Sequence, residues 1–495
     1  MSSPTPASHE ESQPANRRPV RGKDIPPAPE LTGTFVILAG LLITRTLATG
    51  ETPSDIASTA AKSVGLTFAI ACLLDLSHGF RNLMRADLMM LVALYGLLFA
   101  EFLFPQASFD LLLNREMLLP ALDAVYLGIA GVAVGRHFGA RNQGTLSPTL
   151  TEPVSPRLLT RFFWLAFVLG YSHQWLSVNF NPAAWFDAMT EVRFSQPWSR
   201  GRLGNWKALV YELGMLIYVI PPLGAIIIVR RKMFDKTAVT FVVLATLLTF
   251  FYGFSSGTRN IFAIYVITFA IAYSFFLHGR SAKQIVLTFS AIIGVIFLAT
   301  NYMLAFRNIG LQHYVSGLRT ANTDERESLF VDLNLYNITA VTETFGKGID
   351  FLGWEVPYLA IVRPIPRALW PGKPEGLSTT VEEAVGTSEA GAGNVTLSTT
   401  FIGEAYTSGG YPAVLMFSLV LGAFGGWWNR FGISRISELG VLIYASGFFS
   451  ISIAMRSVYT FTTAILPTIL LALLASWLYR QRHPQLRRQP TPENA

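Results

Sequence analysis

Arg363, Arg367 and Lys373 stand among Trp354, Tyr358 and Trp370 in one proline-rich stretch, WEVPYLAIVRPIPRALWPGKP. Guanidinium groups bind phosphate oxygens in pairs, and aromatic faces stack on sugar rings. The mixture therefore suits a ligand that carries both phosphate and carbohydrate. The competing reading is interfacial anchoring, because Trp and Tyr collect at the headgroup level and Arg snorkels to lipid phosphate. A second cluster, RFSQPWSRGRLGNWK, holds Arg193, Arg200, Arg202 and Lys207 with Trp198 and Trp206 between them. Arg259 lies in the short turn SSGTRN between two strongly apolar runs, and Arg307 and Arg456 close other such runs. A charge facing the bilayer centre costs about 3 kcal/mol, so Arg259 is expected to face a water-filled cavity or a partner, or else to cap the run that follows.

The candidates for proton transfer are His313, Glu375 and Glu404, each also readable as a solvated or interfacial residue. Glu212 is placed to project inward from its apolar run. No Asp-x-Asp or Glu-x-Asp pair occurs, so a pyrophosphate-bound metal has no obvious ligand set, and neither a metal nor another cofactor is expected. Arginine would then stabilise a departing diphosphate in the metal's place. The single cysteine, Cys72, excludes an internal disulfide and a thiolate metal cage.

These residues need a scaffold, and composition restricts its kind. Of 495 residues, 51% are hydrophobic and only 14% charged, with a mean hydropathy of +0.41. Too little polar surface remains to cover a soluble globule, whereas lipid solvates the apolar excess. A bilayer span needs about 20 predominantly apolar residues, and about twelve such stretches occur. Their limits are 31–49, 58–75, 86–104, 118–135, 160–178, 207–229, 237–254, 260–278, 284–305, 411–429, 438–455 and 459–479. The first, second and fourth are the weakest, carrying Arg45, Lys62 and Asp123. An all-α polytopic membrane protein is expected.

Lys and Arg are retained on the cytoplasmic side of short loops. With the amino terminus inside, every inside segment is basic: Arg17, Arg18, Arg21 and Lys23; Arg81 and Arg85; Arg136, Arg141, Arg157 and Arg161; Arg230, Arg231, Lys232 and Lys236; Arg280 and Lys283; Arg430 and Arg435; Arg480, Arg482, Arg487 and Arg488. This pattern predicts both termini inside and explains the net charge of +7 without nucleic acid. Residues 1–30, rich in Pro, Ser, Glu and Arg, read as a disordered cytoplasmic tail without a removable signal peptide. The membrane domain follows as 31–479, and 480–495 is a second cytoplasmic tail. No internal repeat is evident.

Two outside segments, 178–207 and 307–410, exceed what connection requires, and such loops are functional or disordered. Within the second, TDERESLFVDLNLYNITAVTETFG (323–346) has a cap at Thr323 and apolar Leu329, Leu333, Tyr336 and Ala340 at helical spacing. It predicts an amphipathic helix on the membrane face. Pro357, Pro364, Pro366, Pro371 and Pro374 then shape a rigid loop, and the glycine-rich GTSEAGAGNVTLSTT (386–400) is a candidate mobile lid. Arg from several outside segments can converge on a diphosphate at the bilayer surface.

The stretch Ile365 to Pro374 resembles an element of the Wzy family, the bacterial repeat-unit polymerases of O-antigen and exopolysaccharide synthesis. The SGTR turn at 256–259 is similar to a turn of those polymerases and of the related O-antigen ligases. Arg193 to Gly204 fits the family's Arg-x10-Gly spacing, but Arg307 does not, since Leu318 stands at the matching place. The resemblance implies a GT-C-like bundle in the bacterial inner membrane, acting at its periplasmic face. It implies inverting, metal-independent transfer, in which a hydroxyl of an incoming undecaprenyl-pyrophosphate-linked oligosaccharide attacks the growing chain and undecaprenyl pyrophosphate departs. Arg363, Arg367 and Lys373 are the first choices for the pyrophosphate, with Arg259 and Arg193 next, and Trp354 and Trp370 for the sugar. A chain-length regulator and a flippase are the implied protein partners. The rival readings are a ligase with a different acceptor, a lipid-linked oligosaccharide flippase or other transporter, and a structural scaffold. A transporter would show ionisable residues along a mid-membrane path.

Overall fold

The computed structural model describes residues 29–140, 153–192, 195–198, 213–276, 282–307, 309–317, 334–365, 369–374, 398–432 and 437–482. Among the described residues the chain is all-helical, with a lone β-bridge between Phe345 and Ile349. Among the described residues five helices are long and apolar enough to cross a membrane: Pro53–Ser77, Arg115–Ala140, Lys236–Ser255, Thr400–Gly432 and Val458–Gln481. In its described residues each apolar stretch expected from hydropathy falls largely on helix, although several of those helices are shorter than a full span.

In chain order the helices used below are α1 (Leu31–Leu47), α2 (Pro53–Ser77), α3 (Ala86–Leu98), α4 (Arg115–Ala140), α5 (Pro156–Ser177), α6 (Pro182–Thr190), α7 (Ile220–Val229), α8 (Lys236–Ser255) and α9 (Arg259–Ser274). They continue as α10 (Ala282–Phe306), α11 (Leu311–Val315), α12 (Asn334–Thr344), α13 (Glu355–Val362), α14 (Thr400–Trp428), α15 (Glu438–Ala454), α16 (Val458–Ala464) and α17 (Leu466–Arg482).

The central packing is α4 against α14. Lipid gives helices no hydrophobic reason to associate, so close backbone approach through small residues matters most. Here Gly135 and Gly139 of α4 face Gly422 and Gly426 of α14, and a Cβ at any of them would strike the opposing backbone. Two of the three weak apolar stretches, the first and the fourth, are explained by their polar residues meeting. Arg45 of α1 donates from Nη2 to Asp123 Oδ2 of α4 at 3.2 Å, so neither charge is left alone against the lipid.

A larger ionic cluster closes the end of the bundle where α2 joins α3. Arg85, fully buried, pairs with Asp75 at 2.9 Å and with Asp87 at 3.1 Å; Asp87 also pairs with Arg136 at 3.4 Å. Arg136 donates to Thr34, and the Asn429 amide donates to Asp87 while its oxygen accepts from the Ala86 amide. Tyr444 donates to the Met84 carbonyl. At the same end Glu438 pairs with Arg230 and accepts from the Val154 amide. Residues read from sequence only as topological charges thus tie α1, α2, α3, α4 and α14 together.

One expectation is corrected. Of the helix predicted over 323–346 the described part is Asn334–Thr344, and it does not lie on a surface. It is wedged against α4 and α14, with Leu335, Ile338 and Val341 buried, and Asn334 donates to the Leu97 carbonyl while Asn337 donates to that of Ser398. Tyr336 and Ala340, predicted on the membrane face, are half-buried, and the face of Leu335, Ile338 and Val341 meets the bundle; Thr323, Leu329 and Leu333 lie outside the described residues. Within the outside segment 307–410 helix α14 begins at Thr400. A break at Gly409 and Gly410 separates a short leading segment from the apolar run expected at 411–429. The segments 1–28 and 483–495, and most of the glycine-rich stretch from 386, lie outside the described residues.

Candidate functional site

The bundle end opposite the ionic cluster carries the long connections, and here the predicted cations fall into two groups. The first is built where α13, the leading segment of α14 and α16 meet. The start of α13 is pinned to the α14 break: the Leu352 and Gly353 amides donate to the Thr407 and Ser408 carbonyls at 2.8 and 3.0 Å, and the Ser408 hydroxyl donates to Gly353. Ser457 caps α16, its hydroxyl accepting from the Thr460 amide. Glu404, half-buried on α14, takes up the next orphan donor, with Oε2 accepting from the Val458 amide at 2.7 Å. A carboxylate suits a helix amino terminus because unpaired N–H groups and the helix dipole both favour negative charge there.

Arg363 follows the last residue of α13. Its guanidinium lies 6.0 Å from the centre of the Tyr459 ring and attracts the Glu404 carboxylate. Tyr459 in turn donates to the Val356 carbonyl at 2.9 Å, so one ring both holds α13 down and faces the cation. Lys373 folds back onto this turn: Nζ donates to the carbonyls of Arg363 at 2.5 Å and Ile365 at 2.9 Å. That geometry gives the lysine a backbone-closing task alongside its charge. Trp370 is half-buried in the same turn, whereas Trp354 is 81% exposed at the far end of α13 and faces away from Tyr459's contact with Val356.

The second group surrounds the SGTR turn. Gly257 has φ +63°, a left-handed conformation that suits glycine, and a Cβ there would lie 3.3 Å from the Arg307 Cα. The turn and the end of α10 are thus in contact, with Arg259 opening α9 and Arg307 following α10, both half-buried. Gly310 is packed against α6: a Cβ on it would lie 3.1 Å from both the Thr190 carbonyl oxygen and the Val192 nitrogen. The two long outside segments therefore touch here, one residue before Arg193. His313, on α11, has a buried Nδ1 with no hydrogen-bond partner.

Both groups stand at one end of the bundle. Helix α9 runs antiparallel to α15: Phe275 packs on Tyr444 with ring centres 5.3 Å apart, and Tyr218 bridges Tyr265 at 5.5 Å and Phe449 at 6.2 Å. The start of α9 therefore lies level with the end of α15, and the Met455 carbonyl there accepts from the Phe401 amide of α14.

So the structure gathers Arg363, Lys373 and Glu404 in one place and Arg259, Arg307 and His313 in another, with Trp354 turned outward. Arg193, Arg200, Arg202, Arg367, Glu212 and Glu375 lie outside the described residues. Among the described residues no group of three or more His, Cys, Asp or Glu side chains could hold a metal. Sequence reasoning missed Ser457 and Tyr459, although Ser at 457, three residues before Thr460, is a readable cap. Comparison with profiles of known families, with curated proteins and with solved structures finds no match.

Proposed function

We propose that this chain is a membrane glycosyltransferase that polymerises undecaprenyl-pyrophosphate-linked oligosaccharide repeat units at the periplasmic face of a bacterial inner membrane. The reading sets about twelve spans with both termini inside, and puts the end that carries Arg363 and Arg259 in the periplasm. The observation that carries it is the gathering of Arg363, Lys373, Arg259 and Arg307 at one end of the bundle; this reading makes that end periplasmic, where the basic-inside bias should deplete cations. Cations concentrated against that bias suit an anionic ligand, and a diphosphate carried on a lipid arrives at that depth. Tyr459 and Glu404 orient Arg363; the departing diphosphate takes the negative charge, and the guanidinium stabilises it as the sugar–phosphate bond breaks. The acceptor hydroxyl's proton passes to a base for which Glu404 and His313 are the candidates among the described residues.

Arg363→Ala and Arg259→Ala should each slow chain growth about a hundredfold, ~3 kcal/mol of barrier, and leave glycan of a single repeat unit with unchanged protein in the membrane. Glycan of normal length in both variants defeats the reading. An acceptor other than a repeat unit would make the same site a ligase.

The buried Arg85, Asp87 and Arg136 give a transporter reading its one specific support, since ionisable residues within a bundle mark ion paths. In that case deletion of the protein strands the repeat unit on the cytoplasmic face. In the polymerase reading, single units still reach the periplasmic face.

A further inference from the structure

Helix α13 is apolar on both sides. Val356, Leu359, Ala360 and Val362 are buried against the bundle, with the Val356 carbonyl held by Tyr459. The other side repeats at helical spacing through Trp354, Tyr358 and Ile361 and continues into Ile365; Trp354 is 81% and Ile361 72% exposed, and Leu369 beyond them is 64% exposed. Glu355 in the first turn is exposed and charged, but an open apolar stripe of this size does not stand in water without a partner.

We infer that α13 lies in the interfacial layer of the bilayer leaflet at its own end of the bundle, with Trp354, Tyr358, Ile361 and Ile365 against phospholipid acyl chains. Two further observations fix lipid as the occupant. The helix is docked on the first residues of two membrane-crossing helices, α14 and the α16–α17 run, so its height is that of the bilayer boundary. The stripe ends at Arg363 and Lys373, and cations beside an apolar stripe with Trp and Tyr match headgroup phosphates above acyl chains. The inference stands apart from the glycosyl-transfer proposal and concerns depth alone.

The test uses the full chain in nanodiscs of phosphatidylethanolamine and phosphatidylglycerol, with Cys72→Ser as background. An environment-sensitive fluorophore is attached at Ile361→Cys or Tyr358→Cys, and at the exposed Lys347→Cys as the reference. Emission from 361 and 358 should shift to the blue and be quenched at least roughly twofold more than from 347 by lipid carrying a nitroxide near the headgroup. Emission and quenching equal to those at 347 overturn the inference. Blue-shifted emission that nitroxide lipid fails to quench overturns it too, since a second protein copy would then cover the stripe.

Discussion

Glu404 shows how a single side chain couples two helices to the candidate chemistry. Its carboxylate satisfies the Val458 amide and attracts Arg363, so its loss should loosen both. Glu404→Ala leaves a half-buried N–H unpaired and should destabilise the protein by about 1–3 kcal/mol, read as a lower melting temperature in detergent. Glu404→Gln keeps an acceptor and should preserve stability while, on the polymerase proposal, shortening the glycan, because only the charge facing Arg363 is gone. Equal loss of stability in both variants would assign Glu404 to folding alone. At the SGTR turn, Gly257→Ala should cost about 1–2 kcal/mol through its left-handed backbone, and push on Arg307 as well. On the polymerase proposal its signature is shortened glycan with an unchanged protease-protection pattern. The types of these cations were readable in the sequence, since Arg and Lys among Trp and Tyr are distinctive. Their partners were not: Glu404 and Tyr459 lie far from Arg363 along the chain, and only the docking of α13 unites them.

At the scale of elements, helix positions were the most legible feature, because a long apolar run in lipid has few alternatives to a helix. The stretch at 118–135 became α4 and that at 237–254 became α8, each with ends moved by a few residues. The failures share one cause, since hydropathy cannot tell an apolar face that meets lipid from one that meets protein. Helix α12 reads as a surface helix and is wedged inside; α13 reads as a shaped loop and carries the exposed stripe. Helix contacts made through glycine were equally silent, because a missing side chain leaves no pattern until its partner is known. Gly139→Leu would force α4 away from α14 and should abolish stable insertion, whereas Gly96→Leu, with open space around it, should be tolerated. Comparing the detergent-solubilised monomer of each by size exclusion tests this. Gly410, with φ +64° and ψ −151°, occupies a region that other residues avoid, so Gly410→Ala should cost about 1–3 kcal/mol and misplace the leading segment that carries Glu404.

Across the whole molecule the two ends have opposite characters. One end gathers cations from segments far apart in the chain; the other closes carboxylates and guanidinium groups on each other. Asp87→Ala would leave Arg85 and Arg136 buried without their shared counter-charge, a loss of about 3–5 kcal/mol, and accumulation in the membrane should fall accordingly. Replacing Asp87 and Arg136 together should be milder than the sum of the single replacements, which a double-mutant comparison of melting temperatures would measure. The same arrangement bears on biogenesis. Asp87 leaves the ribosome long before Asn429 and Tyr444, so during translation the early helices wait in the membrane with that ionic knot only partly closed. Chains cut short ahead of α14 should therefore be prime clients for membrane proteases, and supplying α14 and α15 as a separate polypeptide should rescue them.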